Sequence, residues 1–131
     1  MVIVDATVWI GYLRGDDNRE TGWLETHLTR QPIGLTDLTL CEVLQGVRDD
    51  GEFSQTCDDL LRFHVFSTGG PELAVASARN YMRLRQRGLT VRKTIDCLVA
   101  TFCLEAGHEL LHCDRDFDPF EKVLGLQVVH P

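Results

Sequence analysis

Five acidic side chains, Asp5, Glu42, Asp96, Asp114 and Asp116, stand where carboxylates could act together. Asp5 closes Met1–Asp5, a short β-branched, apolar segment that reads as a buried strand. Asp114 directly follows a second apolar segment, Glu109–Cys113, also read as a strand, and Asp116 stands two residues further on. Asp96 falls in the first turn of the helix that leads into that second strand. Glu42 lies inside a helical stretch among Leu38, Leu40, Cys41, Val43 and Leu44. Taken singly, each acid has an ordinary reading. Asp96 could serve only the helix dipole, worth under ~1 kcal/mol. Asp114-Arg115-Asp116 could be a solvated turn, and Glu42 a helix flank. Asp5 resists this, because a carboxylate at the end of a buried strand is costly without a partner. Thr7 reads as a helix N-cap, and its hydroxyl could also serve a site.

Taken together, the acids point to a cation. In open parallel sheets, ligands bind beyond the carboxyl ends of the strands, where these side chains would meet. Carboxylates crowded there repel and raise one another's pKa values. A divalent ion removes that conflict by supplying positive charge. An all-oxygen set suits Mg²⁺ or Mn²⁺ rather than zinc. Such ions polarise phosphoryl oxygens, orient the ester and help form hydroxide from water. His112 and Cys113 do not make a zinc pair, since adjacent residues of an extended segment face opposite ways.

The elements that must position these acids follow from periodicity. Thr7 is read as capping a first helix through Val8-Trp9-Ile10, and Asn18–Leu28 as a second. Pro32–Leu35 is a short strand. Thr36 or Asp37 caps a helix with the stripe Leu40, Val43, Leu44 and Val47. Glu52–Leu61 is helical, His64–Phe66 a strand, and Pro71 opens a long helix to about Arg87. Thr94 caps a helix with the stripe Ile95, Leu98, Val99 and Phe102, which Gly107 ends. Leu126–Val129 is a last short strand. Strands alternating with amphipathic helices imply an α/β fold, a parallel sheet covered by helices on both faces.

Composition narrows the class. A chain of 131 residues, 44% apolar and 25% charged, is that of a single globular domain over 1–131 and not of a disordered or fibrous protein. Its longest uncharged apolar run, Cys97–Leu104, is too short to span a membrane. No secretory signal is visible, and five cysteines without a C-x-x-C read as reduced thiols of a cytoplasmic protein. The net charge of −7 argues against a phosphate-binding surface overall. Yet six basic residues and no acid fall between Arg79 and Lys93. Arg79, Arg83 and Arg87 share a helix face, while Arg92 and Lys93 precede Asp96 and are candidates for phosphate contact. Trp9, Tyr12 and Trp23 could form a partner surface or part of the core.

The segments Val2–Ile10, Leu40–Gly46, Thr94–Ala100 and Asp114–Asp118 together resemble the PIN-domain family, and more narrowly the VapC-type toxins of bacterial toxin–antitoxin pairs. The resemblance runs from the first residues to about Val129. It implies a three-layer α/β/α sandwich with a short central parallel sheet and a Mg²⁺- or Mn²⁺-dependent endoribonuclease. It implies metal ligation by Asp5, Glu42, Asp96 and Asp114, with Asp116 as a further acid, and matches Thr7 to the family's site hydroxyl. Asp5 and Asp96 would be the principal ligands. Ala6 departs from the Thr or Ser of many members. A homodimer, a VapB-type antitoxin that silences the toxin, and transfer or ribosomal RNA as substrate are implied in the same way. Hydrolysis by metal-activated water would leave a 5′-phosphate and a 3′-hydroxyl. Two readings compete: a PIN-like module that binds RNA or protein without cutting, and a PIN nuclease of RNA processing without an antitoxin. An aspartate-based phosphatase would want a second acid where Thr7 stands.

Overall fold

The computed structural model describes residues 1–131. Four parallel strands form one sheet in the order β3-β2-β1-β4: β1 (Val2–Val4), β2 (Ile33–Thr36), β3 (His64–Phe66) and β4 (Glu109–Leu111). The chain steps outward from β1 to β3, then returns to lay β4 on the other flank of β1. The strand order therefore reverses between β1 and β4, and a crevice opens there beyond their carboxyl ends.

Alternation along β1 divides the core in two. Val2 and Val4 pack with Val8 and Trp9 of α1 (Ala6–Arg14), Leu24 of α2 (Arg19–His27), Val43 of α3 (Asp37–Gln45) and Leu60 of α4 (Asp50–Leu60). Ile3 faces the other way, into Leu84 of α5 (Pro71–Gln86), Val99 and Cys103 of α6 (Thr94–Ala106), and Phe120 of α7 (Asp118–Leu124). The result is a three-layer α/β/α sandwich, as the sequence pattern implies.

Several local expectations are corrected. Asp5, not Thr7, is the N-cap of α1, and Thr7 lies inside the helix. Thr94 is the first helical residue of α6, whose N-cap position, Lys93, makes no capping bond. Asp49 caps α4 by accepting from the Glu52 N–H, so that helix starts at Asp50, earlier than read. Between the two candidates for α3, Thr36 is the cap and accepts from the Thr39 N–H. Asp37 is used elsewhere, accepting from Thr68 Oγ1 at 2.6 Å. β4 stops at Leu111 because the Cys113 N–H turns away from the ladder to Thr7 Oγ1. Leu126–Val129 makes only a bridge, Val128 to Leu110, rather than a full strand. Trp9 is wholly buried and so is core, while Tyr12 and Trp23 are half-buried.

α6 departs furthest from its expected packing. Of the expected stripe only Val99 is fully buried; the inward residues include Asp96, Cys97, Ala100 and Cys103. α6 is apolar around most of its circumference, and the small side chains allow close approach to the sheet and α5. Asp96, Val99, Ala100 and Cys103 follow the i, i+3, i+4, i+7 spacing of one face. The helix thus turns a carboxylate inward with its core residues.

Gly34 shows how tightly the sheet is set. A Cβ there would lie 2.9 Å from Met1 Sδ and 3.0 Å from both the His64 carbonyl oxygen and Phe66 Cε2. The thioether can swing aside, but the β3 backbone cannot. Gly34→Ala should cost about 1–3 kcal/mol, read from urea unfolding midpoints. An unchanged midpoint would mean that β2 and β3 can separate freely.

No helix is long and apolar enough to cross a membrane. All five thiols are unbridged.

Candidate active site

The reversal of strand order brings the ends of β1 and β4 side by side, joined where the Asp5 N–H donates to the Leu111 carbonyl at 2.9 Å. Asp5 is 2% exposed. Its Oδ2 accepts from the Thr7 N–H at 3.1 Å and from the Thr7 hydroxyl at 2.7 Å. The same hydroxyl accepts from the Cys113 N–H at 3.1 Å. Thr7 therefore ties Asp5 to the loop that carries Asp114.

That loop is shaped by its own side chains. Asp114 Oδ1 accepts from the Asp116 N–H at 2.9 Å and caps the 3-10 turn Arg115–Phe117. The Asp114 N–H donates to His112 Nδ1 at 3.1 Å. This bond needs the Nδ1 lone pair, so the ring proton of the neutral imidazole sits on Nε2. Burial lowers the His112 pKa despite the charges of Asp5, Asp118, Asp114 and Glu121 around it.

α6 delivers Asp96 into the same crevice. One carboxylate oxygen each of Asp96, Asp114 and Asp116 lies within 4.8 Å of the others. Glu42 is carried to the site by α3, which starts directly after β2. Three carboxylate oxygens here are buried without any hydrogen-bond partner: Asp5 Oδ1, Glu42 Oε1 and Asp96 Oδ2.

The electrostatics reflect that crowding. Burial pushes the Asp5 pKa up, and the Thr7 hydrogen bonds offset it in part. Burial and then the Asp5 charge raise Glu42. Asp96 is pushed up to about 7, by burial first and Asp5 next; Lys93 pulls it down, while Asp114 and Glu42 add to the rise. Two cations stand at the rim: Lys93 Nζ lies 3.8 Å from Asp114 Oδ2 and Arg92 Nε 3.8 Å from Asp116 Oδ1. Both are exposed and loosely paired, so they neutralise little of the buried charge.

The residues fit a hard divalent cation. Unpaired, buried, anionic oxygens are costly as they stand and are the ligands Mg²⁺ and Mn²⁺ prefer. A zinc site is a poorer match. His112 has spent its Nδ1 on the Asp114 N–H, and the acids gathered here offer only oxygen ligands.

The structure thus gathers Asp96, Asp114 and Asp116 closely, couples Asp5 and Glu42 to Asp96 by charge, and sets Arg92 and Lys93 at the edge. The sequence reading weighs His112 only as a zinc ligand and gives it no positioning role. It places His112 inside the strand Glu109–Cys113, and a backbone N–H accepted by a ring nitrogen leaves no pattern in the sequence.

Thr7 can be tested apart from catalysis. Thr7→Val removes the donor to Asp5 and the acceptor for Cys113, and should cost about 1–3 kcal/mol. Thr7→Ser should keep most of that stability in thermal melts. Equal stability of the two variants would show that the bridge contributes nothing.

Known proteins share this sequence pattern and this fold. The PIN domain family model matches residues 2–123. The chain is 28% identical over 136 residues to "Ribonuclease VapC11" of Mycobacterium tuberculosis, with 97% of this chain and 96% of that protein covered. Among solved structures, VapBC2 from Rickettsia felis bound to a promoter DNA fragment superposes with a TM-score of 0.78 at 15% identity, covering 98% of each chain. Mycobacterium tuberculosis VapC20, described as a sarcin-ricin loop cleaving toxin, gives a TM-score of 0.74 at 16% identity, covering 100% of each.

Proposed function

The chain belongs to the PIN-domain family, and on that footing we propose that it is a VapC-type toxin: a metal-dependent endoribonuclease that hydrolyses phosphodiester bonds in RNA. The observation that carries this reading is the trio of buried, unpartnered carboxylate oxygens on Asp5, Glu42 and Asp96, set in the crevice where strand order reverses. A module that only bound RNA would gain nothing from concentrating negative charge there.

Asp5 and Asp96 are the principal ligands of Mg²⁺ or Mn²⁺, and Glu42, Asp114 and Asp116 complete the set directly or through water. When bound, the ion supplies charge for the phosphoryl oxygens and makes water a better nucleophile at neutral pH. The protein's own groups do the rest. Thr7 holds Asp5 in one rotamer and fixes the Asp114 loop. His112 fixes the Asp114 backbone. The exposed Arg92 and Lys93 draw the RNA phosphates towards the acids, contacts that double as a partial neutralisation of the rim.

The single PIN domain over 1–131 would work in the cytoplasm as a homodimer, silenced by a VapB-type antitoxin. Support for the antitoxin comes from structural neighbours solved as toxin–antitoxin complexes. An acidic crevice also attracts a basic side chain of a partner for the reason it attracts a metal ion. The function is tested by incubating the purified chain with total RNA in Mg²⁺, in Mn²⁺ and in EDTA. Discrete cuts with either ion and none in EDTA are expected; an RNA left intact by correctly folded protein in all three would overturn the reading.

A further inference from the structure

The six basic residues between Arg79 and Lys93 are not used alike, in a chain where acids outnumber bases 20 to 13. Arg85 lies over the Tyr81 ring, 5.5 Å from its centroid, a cation–π contact. Arg83 and Arg87, one helical turn apart, instead line a groove of about 450 Å³ between α5 and α7, together with Gln86, Val123 and Leu124. Both arginines are exposed. Neither takes part in an ion pair; the ion pairs of the structure all involve other residues. Their forked, permanently charged heads match the oxygens of a phosphate.

The groove is linked to the catalytic rim by a short path. Arg87 and Arg92 are five residues apart, so their backbones lie within roughly 18 Å even if the connection were fully extended. Val91, between them, is buried against the same core as Leu84, Phe117 and Phe120. That packing fixes one basic cluster relative to the other. No acid interrupts the segment.

The geometry points to a second RNA-backbone subsite, in which Arg83, Gln86 and Arg87 grip phosphates away from the cleaved bond while Arg92 and Lys93 hold those beside the acids. This subsite rests on the ribonuclease reading and narrows its substrate class. Two grips this far apart favour an RNA of several nucleotides, whose backbone presents phosphates at both places at once. A trinucleotide held at the rim leaves the groove empty.

The test compares Arg83→Gln/Arg87→Gln with a charge-matched control, Arg30→Gln/Arg48→Gln. The control residues are exposed and lie near the amino end of β2 and the far end of α3, away from the acids. All proteins carry Asp96→Asn, so the RNA stays intact. Fluorescence anisotropy follows a labelled RNA hairpin and a labelled trinucleotide across a salt series. Loss of two phosphate contacts should weaken hairpin binding by about tenfold to a hundredfold and reduce the salt slope by about 1.4–1.8. Trinucleotide binding should be unchanged, and the control should match its parent on both probes. Equal losses in the two double variants, or no loss in either, would overturn the subsite. A parallel cleavage assay on protein with Asp96 intact tells the two possible failures apart. If Arg83→Gln/Arg87→Gln binds and cuts as its parent does, the subsite falls and the nuclease stands. If the parent neither binds nor cuts RNA, the nuclease reading falls and takes the subsite with it.

Discussion

Asp96→Asn is expected to lower RNA cleavage about a thousandfold or more while raising the melting temperature of the metal-free protein. The two effects have one cause. Asp96 is buried among Asp5, Asp114 and Glu42, and one of its oxygens has no partner. Ionised, it is a poor guest in its own site. Asn keeps the shape and removes the charge, which should stabilise the fold by about 1–2 kcal/mol, or roughly 3–8 °C at this chain length. The same change removes a principal cation ligand, and a thousandfold loss in rate corresponds to about 4 kcal/mol.

The pH dependence separates this from ordinary surface effects. The folded-state pKa of Asp96, about 7, lies above the ordinary aspartate value of 3.8. Between those values the folded chain holds a proton that the unfolded chain has released. Stability from this group is therefore full below the lower value and is lost as pH rises through about 7. Metal-free protein should melt higher at mildly acidic pH than at mildly alkaline pH, and Asp96→Asn should flatten that slope. A variant that melts lower than its parent at every pH would make Asp96 a structural group.

Mg²⁺ or Mn²⁺ should stabilise the parent protein strongly. Binding only to the folded state at a hundredfold excess over Kd adds about 2.7 kcal/mol, on the order of 10 °C here. The gain should grow with pH, because protons compete with the ion for Asp5, Glu42 and Asp96, all of which are raised. It should disappear in Asp5→Ala and shrink sharply in Asp96→Asn. An unchanged melt in either ion would mean that the carboxylates do not form a cation site.

Much of this architecture is legible in the sequence because strand-end acids and apolar alternation are one-dimensional signals. Met1–Asp5 reads as a strand with a terminal carboxylate, and the structure places Asp5 at the β1–β4 crevice. The errors arise where a side chain's partner is remote in sequence or its size misleads. Thr7 resembles a cap, but Asp5 takes that role by accepting from the Thr7 N–H. Glu109–Cys113 resembles a full strand, yet the Cys113 amide is claimed by Thr7, more than a hundred residues earlier. On α6, Ile95 and Phe102 pack against the core only partly buried, Leu98 lies outside it, and the most deeply buried positions carry smaller side chains. Expecting the bulkier residues innermost conceals how firmly Asp96 is turned inward, although its place in the first turn is visible.

The most direct test of metal-dependent cleavage by the acid cluster is to map the ends produced from total RNA by the parent protein, Asp5→Ala and Asp96→Asn, with Mn²⁺ and with EDTA. Discrete new 5′-phosphate and 3′-hydroxyl ends are expected with the parent and Mn²⁺ alone. Cuts that persist in EDTA or in both variants, or that end in a 2′,3′-cyclic phosphate, would contradict the mechanism.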